Sequence, residues 1–143
     1  MAFMTPKARR VFAGAAGIVS ALVTVVVIEF VGHSLYPPPG NLDLSDHDAV
    51  AAFIRTLPPG AFGFALSAWA FGVFDGTLVA TVIARGKSGF YALLVGGVVL
   101  LAALANLAVI PHPMWFQVAA LVLIGMAALA ARLVGQLLMP TQP

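Results

Sequence analysis

Residues 89–110 form an unbroken run of 22 positions without a charged side chain. A helix rising about 1.5 Å per residue needs about 20 such positions to cross a hydrocarbon core about 30 Å thick. Three other stretches meet the same test. Residues 11–28 are uncharged, and the helix can continue past Glu29 to residue 35; residues 61–84 carry only Asp75; residues 114–131 are uncharged and extend past Arg132 to residue 138. The runs predict four spans at about 11–35, 60–84, 89–110 and 114–138, with no room for a fifth.

Composition closes the other routes. Of 143 residues, 62% are hydrophobic and 8% charged, where an ordinary soluble domain has roughly 25% charged. A soluble fold could not cover its surface, and disorder requires the opposite composition. The absence of cysteine removes disulfides, thiolate metal sites and cysteine nucleophiles. A formal charge of +2, with no aromatic-studded basic patch, gives no nucleic-acid reading.

Lys7, Arg9 and Arg10 look like the charged start of a secretory signal. The apolar stretch behind them exceeds the usual signal core of about 7–15 residues, however, and it ends in Glu29-Phe-Val-Gly-His33 rather than a small-x-small cleavage site. A retained helix is expected. Lys7, Arg9, Arg10, Arg85, Lys87 and Arg132 all fall on one side of the four spans; only Arg55 falls on the other, beside Asp43, Asp46 and Asp48. Positive charge marks the cytoplasmic side. The expected fold is therefore an all-α bundle of four transmembrane helices in a bacterial inner membrane, with both termini cytoplasmic.

The outer loop, residues 36–59, opens on Pro37, Pro38 and Pro39, which end the first helix. Ser45 followed by Asp48 reads as a helix-start box, and Ala49, Val50, Ala52, Phe53, Ile54 and Leu57 supply an apolar face. A short amphipathic helix over about 46–56, lying on the outer surface, is predicted. The other connections, Arg85-Gly-Lys-Ser88 and Pro111-His-Pro113, are tight, so consecutive helices should be antiparallel neighbours.

Lipid offers helices no hydrophobic incentive to associate, so contact depends on small residues. The second span has them in register at Ala68, Gly72, Gly76 and Ala80, the first at Gly14, Gly17 and Ala21, and the fourth at Ala127, Ala131 and Gly135. Packing within one bundle is the primary reading, and a homo-oligomer seam the alternative.

Ionisable groups inside a span cost about 2.5–3.5 kcal/mol each on insertion scales, so each calls for a reason. Glu29 and His33 stand four apart on the first span, Asn106 sits near the outer end of the third, and His112 lies in the outer turn. They share a depth and form a candidate outer-side polar cluster, suited to moving protons or holding a polar substrate. The plain alternative is a helix-surface pair with His112 at headgroup level. Two imidazoles and one carboxylate could also bind a divalent metal, but they make a thin set to assign one, and the sequence leaves any cofactor unknown. Asp75 lies near mid-membrane, about 21 Å from the outer end, and Arg132 about 27 Å. An Asp75–Arg132 contact between the second and fourth spans is expected, or else hydrogen bonding of Asp75 near Thr77 or Thr81. Trp69 reads as core. Tyr36, Trp115 and Phe116 read as an outer aromatic belt, and Phe90 with Tyr91 as an inner one.

Three strings, Glu29-Phe-Val-Gly-His33-Ser-Leu-Tyr36-Pro-Pro-Pro39, Ala68-Trp-Ala-Phe-Gly72-Val-Phe-Asp-Gly76 and Asn106-Leu-Ala-Val-Ile-Pro-His112-Pro-Met-Trp115-Phe, resemble a group of small uncharacterised bacterial four-helix inner-membrane proteins. The resemblance implies topology and carries no activity.

The lack of a nucleophile–base pair, a phosphate loop and a thiolate site favours an accessory or structural membrane subunit, partnered by lipid and by copies of itself or a larger complex. The alternative is a small transporter or proton pathway using Glu29, His33 and Asp75. A membrane-embedded enzyme with an outer-side Glu/His site comes third. Convergence of Glu29, His33, Asn106 and His112 on one cavity would favour the last two.

Overall fold

The structure is a computed structural model and describes residues 4–139. Among these it has five helices and no strand: α1 (Pro6–Leu35), α2 (His47–Thr56), α3 (Pro59–Ala84), α4 (Ser88–Val109) and α5 (Met114–Leu138). The four long ones, α1, α3, α4 and α5, are long and apolar enough to cross a membrane.

The ends of each helix follow from local chemistry. Thr5 caps α1 by accepting the Ala8 N–H at 3.2 Å, and Pro6 occupies the first turn, where its missing N–H costs nothing. The cap of α2 is Asp46, not the expected Ser45: its carboxylate accepts the N–H groups of Asp48 and Ala49 at 2.9 and 3.1 Å. Ser45 is already engaged, donating its hydroxyl and its amide to Asp43 at 2.7 and 2.8 Å. Those bonds, the hydroxyl's first, hold the Asp43 carboxyl below its ordinary value of 3.8. Between α3 and α4 the backbone turns through Arg85, Gly86 and Lys87 at φ 58°, 125° and 63°. The Gly86 N–H closes the helix end on the Thr81 carbonyl at 3.0 Å.

On α1 size, not hydropathy, decides which face points inward. On α1 the buried residues are Ala13, Gly14, Gly17, Ala21 and Gly32, while Val19, Val23, Val26, Val27 and Phe30 face outward. Outward valines are at home in lipid, and inward glycines let backbones approach. A Cβ on Gly17 would lie 2.5 Å from the Gly76 carbonyl oxygen, and one on Gly72 would lie 2.9 Å from that of Ala21. Ala68, Gly72, Gly76 and Ala80 are all buried, with Gly72, Gly76 and Ala80 set against α1. On α5, Ala131 is buried and a Cβ on Gly135 would meet the Ser88 Cβ at 2.8 Å. The small-residue stripes are thus filled within one chain.

α3 is the central helix, touching α1, α4 and α5, and α4 also touches α1 and α5. The start of α1, the end of α5 and the α3–α4 turn lie at one end of the bundle, called the terminal end; α2 and the α4–α5 turn lie at the other. Rather than lying free on a surface, α2 turns Val50, Phe53 and Ile54 onto the core, joined by Leu57 just after it, and covers its end of the bundle.

Candidate functional site

Beneath α2 lies a cavity of about 270 Å³, and its wall includes Glu29, His33, Asn106 and His112. α1 carries Glu29 and His33, one turn apart and so on one face. Asn106 stands on the last turn of α4, and His112 sits between two prolines in the turn to α5. The loop and α2 form the roof through Leu42, Val50, Phe53 and Leu57.

The polar groups present mainly acceptors. Nδ1 of His33 lies 2.8 Å from the Glu29 carbonyl oxygen, and Nδ1 of His112 lies 2.8 Å from that of Ile110. A carbonyl only accepts, so each Nδ1 carries a proton, and in a neutral ring that tautomer leaves the lone pair on Nε2. Burial holds the His112 pKa below the ordinary imidazole value of 6.5, partly offset by its bond to Ile110. Its ring stacks on Phe116 at 4.6 Å and 14°. Oδ1 of Asn106 is buried and has no hydrogen-bond partner among the described residues. Glu29 accepts the Trp69 indole N–H at 3.3 Å through one oxygen.

Trp69 and Phe116 belong to this site, although Trp69 reads from the sequence as plain core and Phe116 as belt. Phe116 is wholly buried and stands edge-on to Trp69 at 5.7 Å and tilted on Phe62 at 5.4 Å. Tyr36 also leaves the belt: its ring lies on Phe64, and its hydroxyl fills the space beside Gly60. Tyr91, read as inner belt, is buried and donates to the Arg10 carbonyl at 3.2 Å. Trp115 and Phe90 do remain exposed. The signal for the two missed aromatics is spacing: Trp69 lies two helical turns from Phe62 and about one from Gly72, so on the same face of α3, and Phe116 lies four residues after His112.

The Asp75–Arg132 contact does not form. Ser20 and Thr24 of α1 donate their hydroxyls to Asp75 at 2.6 and 3.0 Å. At about 100° per residue, Asp75 lies about 60° from Gly72 and about 100° from Gly76, both against α1, and about 160° from Thr77. Thr77, the other expected neighbour, thus faces nearly the opposite side of α3, and Thr81 donates to the Thr77 carbonyl rather than to Asp75. Arg132 turns toward the start of α4, its Nε 3.5 Å from where a Cβ on Gly89 would sit. Asp75 does not line the cavity. Among the described residues no three His, Asp or Glu side chains group as metal ligands do.

No family model matches this chain, and no curated protein or solved structure does either.

Proposed function

We propose that this chain is a multi-pass protein of the bacterial inner membrane, with both termini cytoplasmic, that binds a small ligand in the outward-facing cavity under α2. The ligand has an apolar or aromatic body and a donor-rich, cationic group such as a primary amine. One observation carries this reading: Glu29, His33, Asn106 and His112, from two helices and a turn, meet on a single cavity. An inert subunit would leave that convergence without a purpose. Aromatic walls suit the body of such a ligand, and a cation can meet the Glu29 carboxylate or an aromatic face. Transport through the bundle by way of Asp75 has less support, because that carboxylate is held by two hydroxyls in the α1–α3 seam.

The test uses phenethylamine and its carboxylate counterpart as probes on the detergent-purified chain carrying Trp115→Phe. Trp69 then reports binding by its fluorescence. The amine is expected to shift the emission and raise Tm, the carboxylate to do neither, and Glu29→Gln to abolish the amine's effect. Equal responses to the two probes, or an unchanged response in Glu29→Gln, would overturn the proposal.

A further inference from the structure

A second cavity, of about 480 Å³, runs between α1 and α4 at the terminal end, remote from the first. Its bed is apolar: Val11, Gly14 and Ile18 on α1 and Phe90 and Leu94 on α4. The α1 residues recur every three or four positions and so share one stripe of that helix. Two exposed cations stand at it, Arg10 on the first turns of α1 and Lys87 at the start of α4. Tyr91 fixes the α1 side by its bond to the Arg10 carbonyl. None of the five acidic side chains is near: Asp75 is in mid-α3, Glu29 lies toward the α2 end, and the rest are in the loop and α2. Lys7, Arg9, Arg85 and Arg132 add to the positive charge of this end.

We infer that this groove is a binding site for one phospholipid with a net-negative headgroup. The headgroup phosphate pairs with Arg10 and Lys87, and an acyl chain lies along Gly14, Ile18 and Leu94. Charge selects the lipid class, because cations attract an anionic headgroup and no Asp or Glu side chain stands at this end among the described residues. The apolar bed selects a lipid over a soluble anion, since free phosphate would leave it empty. The cations stand at the end of the bundle, where headgroups reside, and the bed runs toward its middle, where tails do. The site is independent of the cavity under α2 and of which way the bundle faces.

The experiment adds phosphatidylglycerol, phosphatidylcholine or inorganic phosphate to the delipidated chain in detergent, reading Tm and the lipid retained in native mass spectrometry. Phosphatidylglycerol is expected to raise Tm and to stay bound one per chain, while the other two do neither. Arg10→Gln with Lys87→Gln should weaken phosphatidylglycerol roughly thirtyfold, and Arg132→Gln, a cation of the same end outside the groove, should leave it unchanged. Ala15→Trp, at an exposed position lining the groove, should block the tail while keeping both cations. Equal retention of the two lipids, equal losses in Arg132→Gln and the double variant, or full retention in Ala15→Trp would each overturn the site.

Discussion

Asp75 shows what position along a helix can and cannot say. A rise per residue converts sequence into depth, and Asp75 and Arg132 have depths an arginine could bridge. Depth says nothing of which neighbour a side chain faces. That depends on the azimuth of α3, which the Gly72 and Gly76 contacts with α1 set. The hydroxyls that receive Asp75 were visible as an i, i+4 pair, Ser20 and Thr24, in the otherwise apolar run 11–28 of α1. A double-mutant cycle in detergent separates the two partners. Ser20→Ala and Thr24→Ala are each expected to couple to Asp75→Asn by about 0.5–3 kcal/mol, and Arg132→Gln to be additive with it. Coupling confined to Arg132 would contradict the observed bonds.

His112 makes a residue-scale prediction about pH. Its folded pKa lies below 6.5 because burial disfavours the charged ring. The unfolded chain therefore binds more protons than the folded one between the folded pKa and 6.5. The contribution to stability is full above about 6.5 and is lost as pH falls through the folded value. Thermal unfolding from pH 8 to 5 should show this decline, and His112→Gln should flatten it. An unchanged slope in the variant would assign the titration elsewhere. Asp43 acts lower, below 3.8, and does not confuse that window.

At the scale of elements, the spans and the contacts of α3 with α4 and of α4 with α5 were legible, and the extensive α1–α3 seam was not. Uncharged runs mark the four long helices because backbone groups in lipid must be paired within the segment. The ends shifted by a few residues where caps act: α1 begins at Pro6 under Thr5, and Asp46 displaces Ser45 at α2. The cavity was half legible. Shared depth grouped Glu29, His33, Asn106 and His112, but the walls of Trp69 and Phe116 and the roof of α2 required the tertiary arrangement. The seam between α1 and α3 has a sharp test. Gly76→Val places branched carbon where the Gly17 backbone lies and is expected to cost well over the 1–3 kcal/mol typical of overpacking. Gly63→Ala, where a Cβ meets nothing within 4 Å, should be neutral or slightly stabilising. Similar losses of folded yield in the two variants would mean that the seam is not close-packed.

At the scale of the molecule, charge distribution and site position make one claim. Six of seven Lys/Arg lie toward the terminal end, and Arg55 alone lies at the α2 end. If those six stay cytoplasmic, the cavity under α2 opens to the outside and samples ligands there; an inverted bundle would sample the cytoplasm. The chain has no cysteine, so a single introduced thiol reports its side without background. Asn41→Cys sits in the loop over the cavity and Ala8→Cys on the first turn of α1, both exposed. In intact cells a membrane-impermeant maleimide is expected to label Asn41→Cys at once and Ala8→Cys only after permeabilisation. The reverse pattern would turn the cavity inward and overturn an extracytoplasmic ligand. It would leave the acceptor-rich chemistry of Glu29, Asn106 and the two histidines as it stands, because that chemistry depends on the bundle and not on its direction.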